Sequence, residues 1–427
     1  MFSRSFRTFL LASTLCSAFA ATAQAADAAP PPPAAPTDAV SALTNGTIYG
    51  EERYRFETVN QGGFANDANA NTLRSILGYK TGVFQNFQAD VAVINVSQFG
   101  DHAYNDGSDG KTTYPVVKDP GATELLHGSL AYTGLPDTTI VGGRQAVSLD
   151  NERWVGAANW RQFAQTFDGF TADNKSLKDF DFFYGYLFHE NGSGGPTVSN
   201  GIYDMSTNLF HVAYSGLTNV KLIGYSYLAD IDNNLPGLAG STHGLSAATT
   251  GARVEAAIPV GGGWKVTGNG EYARQVSYGD NPNSFGLNYY LIEPGAAYKS
   301  LSGKVGYEVL GSDGTNAVQS PMMTGHSMNG WADQFLFTPV NGLVDSYADI
   351  SYRFQLPVRG LNESKLEGMV HSFGADQIDQ HYGNEYDLDF TQKIATHYAV
   401  GAEYADYRAD QLLTDTRKFI VTLQLDY

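Results

Sequence analysis

Seven basic side chains of this 427-residue sequence stand on the polar sides of short segments in which apolar and polar residues alternate. A guanidinium binds a carboxylate through two parallel hydrogen bonds and does not lose its charge. In an extended strand, alternate side chains point to opposite faces, so these cations would share one side of a wall. Around a water-filled space they predict selectivity for anions. The seven residues are Arg53, Arg55, Arg74, Lys80, Arg144, Arg253 and Arg353.

Acidic residues on the same faces give a second interpretation. Glu51, Glu57, Glu255 and Asp349 lie at positions of matching parity. Their carboxylates would neutralise the arginines in structural ion pairs, and no net selectivity would remain. The sequence leaves both interpretations open.

The alternation recurs along nearly the whole chain. One example is the apolar row of Phe182, Tyr184, Tyr186 and Phe188. A soluble sandwich strand also alternates, but the persistence of the pattern without helical segments favours one large barrel. Repeats of roughly 20 residues predict an all-β, antiparallel transmembrane barrel of about 18 strands (16–18), with short periplasmic turns and long extracellular loops.

The last nine residues, 419–427, carry the pattern most clearly. One face is wholly apolar and ends in the aromatic Tyr427, whereas the other carries Thr422, Gln424 and Asp426 and no cation. A barrel strand must show lipid on one side and water on the other, and no edge stays unpaired. This segment predicts an outer-membrane location, with membrane lipid as a neighbour.

The amino-terminal residues predict export. Arg4 and Arg7 precede a short apolar run, and Ala23-Gln24-Ala25 matches a cleavage site, so residues 1–25 are predicted to be a signal peptide. Residues 26–45 are rich in Ala and Pro and predict a disordered lead-in. Residues 46–427 would form the barrel. The single cysteine, Cys16, lies in the signal, so no disulfide is expected.

Composition excludes some functions. The formal net charge of −18 argues against a nucleic-acid partner. His189-Glu190 lacks the second histidine of a zinc protease motif, and no G-x-S-x-G occurs, so no enzyme, metal or cofactor is predicted. A barrel hydrolase that assembles Ser, His and Asp from distant strands stays a less favoured alternative.

Three motifs carry a resemblance to a known family. They are Gly142-Gly143-Arg144-Gln145, Trp160-Arg161-Gln162 with Phe167-Asp168-Gly169, and Trp331-Ala332-Asp333 with Pro339. Together with the strand pattern of residues 47–427, they resemble the alginate export family of outer-membrane channels. The resemblance implies an 18-stranded monomeric barrel whose arginine-rich constriction passes an anionic polysaccharide. It assigns Arg144, Arg161 and Asp168 to that constriction.

These observations predict an outer-membrane channel through which anionic solutes diffuse, with a uronate-type polysaccharide or another sugar acid as the favoured solute. A general porin of weak selectivity is the alternative. Periplasmic export or assembly partners are a further expectation. Residues 325–347 fit equally a packed loop and a plug that gates the channel.

Overall fold

The computed structural model describes residues 36–199, 201–231 and 242–427. The predicted signal peptide, 1–25, lies outside these residues, as does most of the predicted lead-in, 26–45. The described end of that lead-in forms a short helix, α1 (Ala39–Thr44), whose first turn is capped by the Asp38 side chain. No helix among the described residues is long and apolar enough to cross a membrane.

The described residues form 18 strands in one antiparallel sheet, in which each strand pairs with its neighbours in sequence. The strands are β1 (Thr47–Gln61), β2 (Ala68–Lys80), β3 (Phe87–Gln98), β4 (Ala122–Leu135), β5 (Thr138–Gln145), β6 (Thr166–Asn174), β7 (Phe180–Asn191), β8 (Ile202–Leu217), β9 (Val220–Ala229), β10 (Ala247–Gly261), β11 (Trp264–Ser277), β12 (Gly286–Tyr298), β13 (Leu301–Leu310), β14 (Leu343–Phe354), β15 (Leu361–Gly374), β16 (His381–Ile394), β17 (Tyr398–Ala409) and β18 (Thr416–Asp426).

The sheet closes because β1 pairs with β18 as well as with β2. Beyond the β1–β18 ladder, the backbones of Gly50 and Tyr427 exchange two hydrogen bonds of 2.9 and 3.0 Å. A Cβ on Gly50 would lie only 2.4 Å from the Tyr427 ring, so glycine allows the terminal aromatic to pack against the wall. The predicted closed barrel is confirmed, and its closure leaves no strand edge unpaired.

Connections differ in length at the two ends of the barrel. Two-residue turns such as 136–137 and 218–219 contain Asp137 and Asn219 at φ values of 47° and 64°. Asp and Asn tolerate this left-handed conformation better than most residues. The longer connections, at the other end, include residues 99–121, 146–165 and 311–342. Short periplasmic turns and long extracellular loops are therefore confirmed, although the sequence did not indicate the length of 146–165.

Burial follows the predicted alternation. On β18, Ile420 is 4% exposed and faces inward, whereas Leu423 is 43% exposed and faces outward. Phe182 and Phe188 are likewise exposed on the outer face of β7. In a membrane these outward side chains meet lipid. The buried apolar core lies inside the barrel, where loop residues such as Trp154 and Phe335 pack against the inner face of the strands.

Candidate functional site

Two long connections turn into the barrel and line the space within it. The first inner loop, residues 146–165, places the Trp154 Nε1 donor 2.8 Å from Glu271 on the inner face of β11. The second inner loop, residues 311–342, packs the Phe335 ring 4.5 Å from the Phe373 ring on β15. Both loops therefore contact the strand wall deep enough to narrow the lumen.

Three predicted lumen arginines hold the first inner loop. Arg53 Nη1 donates to the Asn159 carbonyl oxygen at 2.9 Å, and Arg55 Nη2 donates to the Trp160 carbonyl oxygen at 2.6 Å. Arg74 Nη1 also donates to the Asn159 carbonyl, at 3.3 Å. Each arginine is at most 6% exposed. They lie on the inner face, as the alternation predicts. Loop carbonyls and Glu51 accept from part of their donors, while Arg55 Nε and Nη1 and Arg74 Nε are buried without a hydrogen-bond partner among the described residues. Burial keeps all three guanidinium groups away from a solute.

Arg161 joins the first inner loop to the second. Its Nη2 lies 3.4 Å from a carboxylate oxygen of Asp333, and its Nη1 lies 3.3 Å from Glu57 on β1. Asp333 also accepts a hydrogen bond from the Lys418 ammonium and pairs with His326 Nδ1 at 2.9 Å. The loops are thus connected to each other and to the wall by ion pairs.

His326 extends this group to β17. Its Nε2 lies 3.2 Å from Glu403, and its ring stacks on Trp160 with the centroids 3.6 Å apart. We call the set the charged cluster; its members are Arg161, His326, Asp333, Glu403 and Lys418. Both loops contribute to it, so it fixes their relative position.

Proximity within the charged cluster shifts pKa values. Burial lowers the pKa of His326, but Glu403 and Asp333 outweigh that effect and raise it to about 9. Burial raises the pKa of Asp333, but Lys418, His326 and Arg161 bring it far below its usual value. His326 is therefore protonated and Asp333 ionised at neutral pH.

Lys418 corrects one prediction about the last strand. Sequence analysis found no cation on its lumen face because the strand was taken to begin at Phe419, but β18 begins at Thr416. Lys418 has the same parity as Ile420, which is buried inside the barrel. The signal was present in the alternation, one residue before Phe419, where the strand had been taken to begin.

Arg253 forms structural ion pairs of the kind that the acidic residues on the inner faces suggested. Its Nε lies 2.9 Å from Glu255, and its Nη1 lies 2.7 Å from Glu271. The guanidinium is 4% exposed and both carboxylates belong to the same wall. Arg253 is therefore a structural ion pair partner and contributes no free positive charge to the lumen.

Arg144 and Asp168, two residues that the resemblance assigned to the constriction, pair on the other face. Arg144 Nε and Nη2 donate to the two Asp168 oxygens at 2.7 and 2.9 Å. Phe167 next to Asp168 is fully buried inside, while Phe170 with the parity of Asp168 is 58% exposed. The structure thus places the pair on the outer face of β5 and β6, and a lumen role for it is corrected.

Lys80 and Arg353 lie near the short-turn end of the barrel. Their side chains are 50% and 61% exposed, and their nearest carboxylates, on Asp90 and Glu363, are 3.9 and 4.0 Å away. Parity puts both side chains on the inner face. They add exposed positive charge at the periplasmic mouth, away from the charged cluster.

A second buried junction was missed by the sequence analysis. Arg153 of the first inner loop is fully buried and binds Glu308 on β13. Its Nη2 also donates to Asn329 of the second inner loop at 3.0 Å. No local pattern predicts this contact, because its partners are more than 150 residues away in sequence.

A cavity with an empty volume of about 870 Å³, part of it open solvent, borders the charged cluster, whose members Arg161 and His326 line it. Its cations are Lys118, Arg161 and the protonated His326, and its aromatic lining includes Trp160, Tyr203 and Phe337. Burial and then the charge of Arg161 lower the pKa of Lys118, and no carboxylate among the described residues opposes that shift. Glu190 also lines the cavity. Lys118 is a further residue that sequence reasoning missed, because it stands in a loop without alternation.

The opposite wall of the lumen is acidic. Arginine and lysine donors gather on β18, β1 and β2, while carboxylates dominate the inner faces of β11 to β17. The arginine lining that the sequence predicted therefore describes one side of the lumen only. The acidic side chains are Glu271, Glu293, Glu308, Asp345, Asp349, Glu385, Asp387 and Glu403.

No family model matches the chain, and no curated protein matches it. Solved structures of outer-membrane barrel channels do match. OccAB2 of Acinetobacter baumannii is 15% identical, with a TM-score of 0.67 over 91% of this chain and 99% of that one. OpdQ of Pseudomonas aeruginosa is 12% identical, with a TM-score of 0.66 over 91% and 99%.

A third similar structure is OpdK of Pseudomonas aeruginosa, solved with vanillate. It is 13% identical, with a TM-score of 0.65 over 90% of this chain and 99% of that one. These barrels are not alginate export proteins, so the resemblance is supported only for the fold, a closed 18-stranded barrel of the outer-membrane type. The outer-membrane location is confirmed.

Proposed function

We propose that this barrel is a diffusion channel for small organic anions, with aromatic carboxylates as the favoured class. The observation that carries the proposal is the cavity beside the charged cluster, whose lining combines Lys118 with the aromatic side chains of Trp160 and Phe337. An ammonium binds a carboxylate through charge-assisted hydrogen bonds, and aromatic walls suit a flat ring. The similar fold of OpdK, solved with the aromatic carboxylate vanillate, adds support.

The space inside the barrel favours a small solute over a polymer. Loop residues such as Val155 and Ala332 are fully buried inside the barrel. A polysaccharide strand would need both inner loops to move, which would break the charged cluster. A single uronate or another sugar acid carries the same carboxylate and stays the second candidate, since Lys118 would bind it in the same way.

Ion-current measurements in planar bilayers test the proposal. Vanillate added to the open channel should interrupt the current, whereas vanillyl alcohol, its neutral analogue, should not. Lys118→Gln should weaken the vanillate block about tenfold, as expected for the loss of one charge-assisted hydrogen bond. Lys111→Gln is the matched control, because Lys111 lies in the same connection but pairs with Asp109 at 3.2 Å.

The competing functions give different outcomes. A general porin would show equal and weak effects of vanillate and vanillyl alcohol. If monomeric galacturonate blocks the current better than vanillate, a sugar acid is the solute. An unchanged vanillate block in Lys118→Gln would contradict the role of this cavity.

A further inference from the structure

Two arginines stand on the outer face of the barrel beside the extracellular connection 410–415. On β17, Ala405 and Tyr407 are fully buried inside, so the alternate residues Asp406 and Arg408 point outward. On β18, Lys418 points into the lumen, so Arg417 points outward. We call Arg408 and Arg417 the outer arginine pair.

One carboxylate holds the outer arginine pair together. Asp406 Oδ2 accepts hydrogen bonds from Arg408 Nε at 3.1 Å and Nη2 at 3.0 Å. Asp406 Oδ1 accepts a hydrogen bond from Arg417 Nε at 3.1 Å. The Asp406 side chain is 7% exposed, whereas the two arginine side chains are 63% and 60% exposed. The carboxylate thus fixes two guanidinium groups side by side at the surface.

The outer arginine pair has the positive charge and the N–H donors to bind an anion. Two cations face one carboxylate, which leaves one positive charge in excess. Each guanidinium has five N–H donors, and most of those in the pair make no hydrogen bond to the described residues. Two further carboxylates stand in the adjacent connection, where Asp410 pairs with His381 at 3.2 Å and Asp415 accepts the Ala409 backbone N–H at 2.9 Å, and among the described residues neither forms an ion pair with Arg408 or Arg417.

The level of the pair on the wall indicates which anion it meets. The Arg408 guanidinium lies 5.0 Å from the centroid of the outward Tyr386 ring. Tyr386 and Tyr404 are 43% and 39% exposed, and tyrosines on the outer face of a barrel mark the boundary between hydrocarbon and headgroups. The strand register places Arg417 level with Tyr386, and Arg408 two residues nearer the extracellular end, so the outer arginine pair lies at that boundary on the headgroup side.

We propose that Arg408, Asp406 and Arg417 form a binding site for the phosphate group of a phosphorylated glycolipid in the external leaflet. Phosphate oxygens accept paired hydrogen bonds from guanidinium groups, and Arg is the residue best shaped for that contact. Basic groups at the membrane surface bind lipid headgroups in this way. The site lies on the outer face and is independent of the solute that the lumen passes.

Native mass spectrometry of the detergent-purified barrel with lipid A that carries two phosphates tests the site. The double variant Arg408→Gln/Arg417→Gln should bind this lipid at least fivefold more weakly than the original chain. Arg274→Gln is the control, because Arg274 is a single outward arginine whose Nη1 donates to Asn288 at 2.9 Å. It should bind as the original chain does, and dephosphorylated lipid A should bind as weakly as the double variant does.

Other outcomes would overturn the proposal. Equal lipid binding by the double variant and the original chain would show that the pair does not hold the lipid. Full displacement of the lipid by an equal concentration of inorganic phosphate would show a site for free phosphate. A gel shift on heating verifies that the variants are folded, and Arg417→Gln alone replaces the double variant if that one does not fold.

Discussion

The Trp160 indole stacks on the His326 imidazole, with ring centroids 3.6 Å apart and an angle of 17° between the planes. Trp160 belongs to the first inner loop and His326 to the second, so this contact joins the two segments that narrow the lumen. The Arg161 guanidinium lies 4.2 Å from the Trp160 ring centroid as well. Since His326 is protonated, the stacking adds a cation–π attraction to the ion pairs of the charged cluster.

The charge of His326 predicts a pH dependence of the loop contact. Its pKa of about 9 in the folded chain is above the usual 6.5, so its stabilising contribution is complete below about pH 6.5 and is lost as pH rises through 9. The pKa of Asp333 is lowered from 3.8, so its contribution is present above that pH and is lost only in stronger acid. The loops should therefore be held best between about pH 4 and 6.5.

Single-channel recordings between pH 7 and 10 measure this effect. Current noise from loop motion should increase as pH approaches and passes 9. His326→Gln should show the increased noise already at pH 7 and little further change. His381→Gln is a suitable control, because His381 lies on the extracellular rim and pairs with Asp410 at 3.2 Å. A pH response that survives in His326→Gln would assign it to another group.

Replacing Arg74 should destabilise the barrel more than replacing an exposed lumen arginine. Arg74 is 1% exposed and forms an ion pair of 2.8 Å with Glu51, so Arg74→Gln removes a buried cation and leaves the Glu51 carboxylate with Arg53, 3.8 Å away, as its remaining ion-pair partner. Such losses cost about 3–5 kcal/mol. Arg353→Gln should cost less than about 1 kcal/mol, because its side chain is 61% exposed and its partner, Glu363, is 4.0 Å away. Urea titration of folding into lipid vesicles compares the free energies of unfolding, and equal losses would refute the loop-holding role of Arg74.

Alternation predicts which side of the wall a residue occupies, but not its partners. Arg53 and Ile420 lie where their parity places them because neighbours on the same strand set that parity. The partner of Arg53 could not be predicted, since the Asn159 carbonyl is 106 residues away on a loop without periodicity.

Arg144 shows where the alternation itself is uninformative. It follows Gly142 and Gly143, which have no side chains to reveal a face, and Gly143 adopts a φ of 113°. A Cβ on Gly143 would lie 2.2 Å from the Gly128 carbonyl oxygen, so glycine is required for the close strand contact there. The alternation as interpreted for Arg144 and the motif resemblance both predicted a lumen role, and the backbone does not support it.

The outer position of Arg144 and Asp168 gives a direct test. Arg144→Gln and Asp168→Asn, each alone, should leave the reversal potential of the channel in a KCl gradient unchanged, because neither side chain faces the lumen. Lys418→Gln should shift that potential toward cation selectivity, since it removes a positive charge from the inner face. A shift in Arg144→Gln as large as that in Lys418→Gln would return Arg144 to the constriction.

The packing of the second inner loop predicts that two phenylalanine variants differ in the free energy of unfolding. Phe335 is 3% exposed, and its ring lies 4.5 Å from Phe373 and 5.7 Å from Tyr407, centroid to centroid. Phe335→Ala would leave a cavity inside the barrel and should cost about 3–5 kcal/mol. Phe337, two residues further on, is 46% exposed and lines the solute cavity, so Phe337→Ala should cost less than about 1 kcal/mol. Urea unfolding in vesicles measures both, and a loss in Phe335→Ala no larger than in Phe337→Ala would show that the loop is not part of the packed core. Current recordings on the same variants should show a larger open-state noise in Phe335→Ala, because the loop loses its largest apolar contact with β15 and is then held mainly by polar contacts such as the charged cluster and the bond between Arg153 and Asn329.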